Sequence, residues 1–74
     1  MSKSYSLQEL KKAWKSPFIA RDCVTTFSGG IINSRTLANH DSAGTGPEGR
    51  IRIGRKIVYP VDSLIAWMES RISD

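Results

Sequence analysis

The sequence has little of what a disulfide-bonded, secreted or membrane protein needs. It contains one cysteine, Cys23, among 74 residues. A lone cysteine excludes an internal disulfide bond and fits a reducing compartment. No apolar run is long enough for a transmembrane helix, and the first ten residues lack the apolar stretch of a signal peptide. We therefore expect a cytoplasmic protein without a membrane partner.

Residues that could catalyse a reaction are equally scarce. The sequence shows no carboxylate pair or catalytic triad, and its segment GTGPEG (44–49) lacks the Lys-Ser/Thr pair of a phosphate-binding loop. His40, Cys23 and Asp41 lack the paired spacing of metal ligands, and Cys23 falls on an apolar helical face. We expect no enzyme activity, no metal ion and no cofactor.

Positive charge is concentrated in two blocks of a chain whose net charge is +4. Residues 1–16 hold four lysines against one glutamate. Residues 50–56 contain no acid and four basic side chains: Arg50, Arg52, Arg55 and Lys56. Such blocks are typical of a polyanion binder, although surface charge and protection of a sheet edge are the ordinary alternatives. Four basic residues in seven exceed what edge protection needs, so we favour contact with a polyanion.

The N-terminal block predicts a short amphipathic helix. Ser6 lies at capping-box spacing from Glu9. Leu7, Leu10 and Trp14 recur on one helical face. This stripe either closes the core of the domain or meets a second copy. We divide the chain into this basic helix, residues 1–16, and one domain at 17–74.

The middle of the chain predicts two short helices joined by a glycine turn. Apolar spacing that includes Ile19 favours a helix from about residue 21 to residue 27, which Gly29 and Gly30 end. The polar segment NSRTLANHD (33–41) predicts a second helix of about two turns. Asn33 or Ser34 can cap that helix, and Leu37 is its one large apolar residue.

The segment RIRIGRKIVY (50–59) predicts a β-hairpin with two possible registers. A three-residue loop would place four apolar side chains on one face by pairing Ile53 with Ile57 and Ile51 with Tyr59. A two-residue loop over Gly54 and Arg55 would divide them between the faces, although a glycine in first place suits a type II′ turn. We favour the three-residue loop. Either register places Arg52 on the face opposite Ile51 and Ile53.

The C-terminal segment predicts an amphipathic helix. Pro60 fits its first turn, and Asp62 favours the helix dipole there. Its apolar stripe has helical spacing: Val61, Leu64, Ile65, Met68 and Ile72.

Two segments in this order resemble a known family. SRTLANHDSAGTGP (34–47) and RIRIGRKIVYPVDSLIAWMES (50–70) look like the small helix-turn-helix proteins of the phage excisionase and AlpA-type regulator family. The resemblance covers roughly residues 18–72. It implies an α+β fold, a small MerR-like winged helix-turn-helix that is mostly helical with one β-hairpin wing. In that family the first segment supplies the recognition helix, and the second supplies the wing and the last helix.

The resemblance implies that this chain binds double-stranded DNA. The expected contacts on the polar helix are Ser34, Arg35, Thr36, Asn39 and His40, and those on the hairpin are Arg50, Arg52, Arg55 and Lys56. Arginine can bind guanine and asparagine can bind adenine in the major groove, whereas Ser34 is as good a cap as a contact. Asp41 is expected to repel phosphates and so to penalise wrong sites.

The resulting hypothesis is a DNA-binding protein of a mobile element or prophage. It is either a small transcriptional regulator or an excisionase-like recombination directionality factor, which has an integrase or another protein as a possible partner. We expect two or more copies on each DNA site, because one small domain covers few base pairs. The alternative is a non-catalytic adaptor of the same fold that binds a protein through the helix of Leu7 and Trp14.

Overall fold

The computed structural model of the protein describes residues 7–71. Ser6, the predicted cap of the first helix, and Ile72, predicted for the last apolar stripe, lie outside these residues. The described part forms an α+β fold with four α-helices and one three-stranded antiparallel sheet. The elements in chain order are α1 (Gln8–Ala13), β1 (Phe18–Ala20), a 3-10 turn (Arg21–Cys23), α2 (Val24–Ser28), α3 (Ser34–Ala43), β2 (Ile51–Ile53), β3 (Lys56–Pro60) and α4 (Val61–Glu69).

Helix α1 packs antiparallel against α4. The backbone N–H of Leu7 donates to Oε2 of Glu69 at 3.0 Å, and Nζ of Lys11 lies 2.6 Å from Oδ1 of Asp62. Because Leu7 meets the end of α4 and Lys11 meets its start, the two helices run in opposite directions.

The apolar stripe of α1 covers the core of its own domain. Leu7, Leu10 and Trp14 are half-buried and pack against the buried cluster. The Trp14 ring meets the Phe27 ring edge-on at 5.5 Å, and its Nε1 donates to the Phe18 carbonyl at 3.0 Å. Of the two roles considered for this stripe, the structure therefore shows the internal one.

The segment after Pro17 begins with strand β1, although the helical spacing of apolar residues includes Ile19. In β1, Ile19 pairs with Tyr59 of β3, and both side chains are buried. The predicted helix at 21–27 is divided into a 3-10 turn and the short helix α2. Pairing of three residues with β3, together with burial of the Ile19 side chain, outweighs the helical spacing that includes Ile19.

The turn between α2 and α3 is fixed by two glycines and a buried serine. Gly29 and Gly30 have positive φ, and Gly30 N–H donates to the Thr25 carbonyl at 2.9 Å, as in a Schellman ending. The Ser28 hydroxyl accepts from Ile32 N–H at 3.1 Å and is almost fully buried. This turn leads from the end of α2 into α3.

The hairpin register differs from the favoured prediction. The pairs across β2 and β3 are Ile51 with Val58, Arg52 with Ile57, and Ile53 with Lys56. The loop therefore has two residues, Gly54 and Arg55. Gly54 has φ +60°, and Arg55 is not left-handed, which matches a type II′ turn. Turn geometry sets the register here, and it places Ile51 and Ile53 on the outer face of the sheet instead of in the core.

The core lies between the inner face of the sheet and the helices. Its buried apolar residues are Ile19, Val24, Phe27, Leu37, Tyr59, Val61, Leu64, Ile65 and Met68. The four predicted stripe residues of α4 that are described all belong to it. No helix within residues 7–71 has both the length and the apolar character needed to cross a membrane.

Candidate nucleic-acid interface

Helix α3 is a ten-residue polar helix fixed at both ends. Asn33 is its N-cap, and its Oδ1 accepts from Thr36 N–H at 2.8 Å, which confirms one of the two predicted caps. Gly44, with φ +78°, ends the helix. The helix is therefore longer than the two turns predicted. Leu37, which is fully buried, anchors it to the core.

One side of α3 presents hydrogen-bonding groups to solvent. Arg35 and Asn39 are exposed and lie four residues apart, so they are neighbours on the helix surface. Neither side chain has a hydrogen-bond or ion-pair partner within residues 7–71. Within the described residues, a ligand can bind both side chains without breaking a hydrogen bond or an ion pair.

His40 and Thr36 lie on the adjacent side of α3 and face a different part of the molecule. The His40 ring meets the Trp67 ring edge-on at 5.2 Å, and His40 Nδ1 is 2.8 Å from the Thr45 hydroxyl. The two residues line an apolar groove of about 580 Å³ together with Leu7, Ile31, Ile32, Trp67, Met68 and Arg71. The structure thus separates His40 and Thr36 from Arg35 and Asn39.

Asp41 lies on the inner side of α3 and does not face solvent. Its side chain is 5% exposed, and Arg21 Nη2 lies 2.5 Å from its Oδ2. The Tyr59 hydroxyl donates to the same oxygen, and Arg50 Nη1 lies 3.7 Å from Oδ1. The expectation that Asp41 repels phosphates is therefore wrong, because the carboxylate is occupied by three internal partners. Helical spacing could have shown this, since Asp41 follows the buried Leu37 by four residues.

Two partners of Asp41, Arg21 and Tyr59, remain protonated donors near neutral pH. Burial raises the pKa of the Tyr59 hydroxyl, and its hydrogen bond to Asp41 acts in the same direction. Burial alone would lower the pKa of Arg21, but its hydrogen bonds with Tyr59 and Asp41 prevail and raise it. The cluster of Arg21, Asp41 and Tyr59 therefore ties the 3-10 turn and β3 to α3.

The loop after α3 closes over this cluster. A Cβ on Gly46 would lie well under 3.0 Å from Asp41 Oδ1, so no other residue fits there without a shift. The Thr45 carbonyl accepts from Trp67 Nε1 at 2.8 Å. The glycine-rich segment is thus a structural loop that fixes the C-terminal end of α3.

The basic side chains of the hairpin differ in how free they are. Lys56 forms an ion pair with Asp22, and Arg50 faces Asp41. The hydrogen bond from Lys56 holds the pKa of Asp22 below its ordinary value, and the same contact raises the pKa of Lys56. Arg52 Nε donates to the Gly54 carbonyl at 3.2 Å.

Arg55 is the freest cation of the hairpin. It is exposed at the turn and has no ion-pair partner within residues 7–71. It also lines a groove of about 230 Å³ with Arg21, Asp22, Ser34, Lys56 and Ile57. This groove brings the hairpin turn next to the first residue of α3. The structure therefore brings Ser34 and Arg55 together, whereas Arg35 and Asn39 are exposed on α3 outside the lining of this groove.

Other predicted contacts lie elsewhere. Arg50 lines a hollow at the C-terminal end of α3 with Asp41, Gly44 and Gly49. Sequence reasoning did not identify the internal roles of Arg21, Tyr59 and Trp67, because each depends on a partner at least 18 residues away in the chain. In the described part of the chain, no three His, Cys, Asp or Glu side chains come together as potential metal ligands.

No protein-family model matches this chain, and no curated protein sequence matches it. The resemblance to the excisionase and AlpA-type family stays a prediction. The functional proposal therefore depends on the geometry of this surface.

Proposed function

We propose that this protein is a non-catalytic winged helix-turn-helix protein that binds double-stranded DNA in a sequence-specific manner. In this proposal α2 and α3 are the helix-turn-helix, α3 is the recognition helix, and the β2–β3 hairpin is the wing. Its role would be that of a small transcriptional regulator or of an excisionase-like recombination directionality factor.

The observation that carries the proposal is the position of the hairpin turn next to the N-terminal end of α3. Ser34 and Arg55 line one groove, and Arg35 and Asn39 are exposed on the same helix as Ser34. A helix that enters the major groove contacts bases with residues near its N-terminus while adjoining elements hold the backbone. The arrangement supports such a division between α3 and the wing.

The chemistry of each side chain fits one part of a DNA site. Arg35 can donate two hydrogen bonds to guanine O6 and N7, and Asn39 can pair with adenine N6 and N7. Ser34, together with the backbone N–H groups of the first helical turn, suits a phosphate. Arg55 at the turn suits a phosphate or a narrow minor groove.

The adaptor alternative has less support. It would use the helix that contains Leu7 and Trp14, but both side chains pack against the core of the same chain. The one side-chain donor of Trp14, its indole Nε1–H, is already bonded to the Phe18 carbonyl. The stripe therefore already contributes to the core of its own domain, although Leu7 also lines the apolar groove beside α3.

A salt titration of DNA binding tests the proposal. The affinity for a fluorescent duplex of random sequence is measured by anisotropy between about 50 and 200 mM salt, where each phosphate contact contributes about 0.9 to the slope of log K. We expect Arg55→Ala to reduce that slope by about 1. Lys12→Ala is the matched control, since it removes the same charge from α1, where Lys12 is already 3.2 Å from Glu9. Absence of duplex binding, or a slope of log K that is the same in Arg55→Ala as in the wild type, would contradict the proposal.

A further inference from the structure

The apolar groove beside α3 lies where α1 begins and α4 ends. Most of its lining is apolar: Leu7, Ile31, Ile32, Trp67 and Met68. Ile31 lines the groove and is still 66% exposed, so this volume of about 580 Å³ is open to solvent and is not an enclosed cavity. Enclosed cavities bury most of a small ligand, whereas an open groove suits a ligand that brings apolar surface of its own.

The charge at this groove is positive. Arg71 is exposed, and its Cζ lies 5.0 Å from the centre of the Trp67 ring, which holds the guanidinium beside the apolar lining. No carboxylate lines the groove, and Arg71 has no ion-pair partner among residues 7–71. The neighbouring Glu69 already accepts a hydrogen bond from Leu7 N–H. An acidic ligand is therefore complementary to the groove, and the net charge of +4 attracts it from a distance.

The walls of the groove favour a helical ligand. Its lining residues belong to helices and to the turn before α3, and none belongs to a strand. A bound segment therefore cannot extend the sheet and has to satisfy its backbone hydrogen bonds internally, as an α-helix does. An amphipathic helix places apolar side chains at i, i+3, i+4 and i+7 along such a groove.

We propose that this groove binds an acidic amphipathic helix of another protein. Apolar side chains of that helix pack on Trp67, Met68 and Ile31, and an acidic side chain pairs with Arg71. Tryptophan, methionine and arginine are enriched at protein interfaces. The groove is on the side of α3 that carries His40, apart from Arg35, and the inference does not depend on DNA binding.

The test titrates the intact ¹⁵N-labelled protein with three synthetic peptides of about 15 residues, which is long enough for a helix. The first has leucines at helical spacing and glutamates on its other face. The second has lysines in place of the glutamates, and the third has the composition of the first with its leucines scrambled. We expect only the first to bind below about 1 mM, with amide shifts confined to the groove and a gain of helical circular dichroism. No binding of the first peptide, shifts that map to the hairpin, or binding without a gain of helix would overturn the proposal.

Exchange of charge tests the role of Arg71. Arg71→Glu should weaken binding of the glutamate peptide about three- to tenfold and strengthen binding of the lysine peptide. Lys15→Glu is the matched control, because it changes the net charge equally and Lys15 lies with Asp62 at the opposite end of α4. Equal effects of the two variants would show attraction by net charge alone and would overturn the proposal.

A matched pair of isoleucine variants tests the apolar lining. Ile31→Asp should weaken binding of the glutamate peptide at least about tenfold, because it removes apolar surface and adds a repelling charge. Ile53→Asp is the control, since Ile53 is 61% exposed on the sheet, and it should leave the affinity unchanged. Both positions are exposed, so both variants should fold, which the dispersion of amide shifts checks. Equal losses of affinity in the two variants would reject the groove.

Two further titrations distinguish other occupants of the groove. Octanoate supplies a hydrocarbon chain and a carboxylate without a helix, and it should bind more weakly than the glutamate peptide. Dilution of the protein alone should leave the shifts of the groove residues unchanged. Tighter binding of octanoate would mean a small-molecule site, and shifts that follow protein concentration would mean a second copy. Either result would overturn the proposal.

Discussion

Helix α3 and the β2–β3 hairpin are both polar, but they differ in how many of their charges are free. The hairpin region holds four basic residues in seven, and two of them lie next to carboxylates: Arg50 faces Asp41, and Lys56 pairs with Asp22. On α3, Arg35 is exposed and has no ion-pair partner within the described residues. A count of basic residues therefore overstates the charge that the hairpin can offer to a ligand.

The same comparison assigns different physical roles to the two regions. The anchored helix α3 holds Arg35 and Asn39 at fixed positions, which suits recognition of base edges. The hairpin offers Arg55 at an exposed turn, which suits attraction to any phosphate backbone. Ion pairs with Asp41 and Asp22 determine which basic side chains stabilise the fold and which are free for a ligand.

The largest expected effect is the loss of the Asp41 carboxylate. Asp41→Asn should reduce the free energy of unfolding by about 2–4 kcal/mol, because it leaves the Arg21 guanidinium poorly compensated beside Tyr59. Urea denaturation at neutral pH measures this change. Asp62→Asn is the control, since its ion pair with Lys11 is exposed, and it should cost less than about 1 kcal/mol. Equal losses in the two variants would show that the Asp41 cluster is not a structural centre.

A substitution in the loop over the Asp41 cluster should cause a smaller loss of stability, because it disturbs the same carboxylate. Gly46→Ala should destabilise the fold by about 1–3 kcal/mol, because its new methyl group overlaps the Asp41 carboxylate. In an Asp41→Ala background the clash is absent, so the second substitution should cost clearly less. Additive losses in a double-mutant cycle would mean that Gly46 acts through something other than Asp41.

Release of Lys56 from its ion pair should increase the electrostatic attraction of the hairpin for DNA. Asp22→Asn removes the partner of Lys56, so the slope of log K against log salt on random duplex should rise by up to about 1. Asp62→Asn, which frees Lys11 on α1 in the same way, should leave that slope unchanged. An unchanged slope in Asp22→Asn would place Lys56 outside the DNA contact.

The smallest effect is a shift in one titration. Because Lys56 lowers the pKa of Asp22, the ion pair stabilises the fold at neutral pH and is lost as pH falls through that lowered pKa. Carboxyl ¹³C NMR should show Asp22 titrating below the ordinary value of about 3.9. In Lys56→Met the pKa of Asp22 should return towards that value. An unchanged pKa would show that the pair does not form in solution.

Local signals in the sequence were sufficient to predict much of α3 and α4. Asn33 has the short polar side chain of a cap, Gly29 and Gly30 end α2, and Leu37 anchors α3. Each of these features depends on neighbours within a few residues. The apolar stripe of α4 follows the same local rule.

Features that depend on distant partners could not be predicted in the same way. Strand β1 forms because residues 18–20 pair with β3, some 40 positions later in the chain. The hairpin register followed the preference of Gly54 for a positive φ, although grouping the apolar side chains favoured another register. The role of Asp41 emerges only when Arg21 and Tyr59 converge on it.

The central claim is that α3 selects the DNA sequence while the hairpin turn supplies general affinity. The most direct test compares Arg35→Ala with Arg55→Ala on two duplexes at one salt concentration: a preferred site selected by the wild-type protein from a random library, and a random sequence. We predict that Arg35→Ala costs about 1–3 kcal/mol on the preferred site and far less on random DNA, whereas Arg55→Ala weakens both about equally. If Arg35→Ala weakens both duplexes to the same degree, or neither, α3 does not read sequence and the account is wrong.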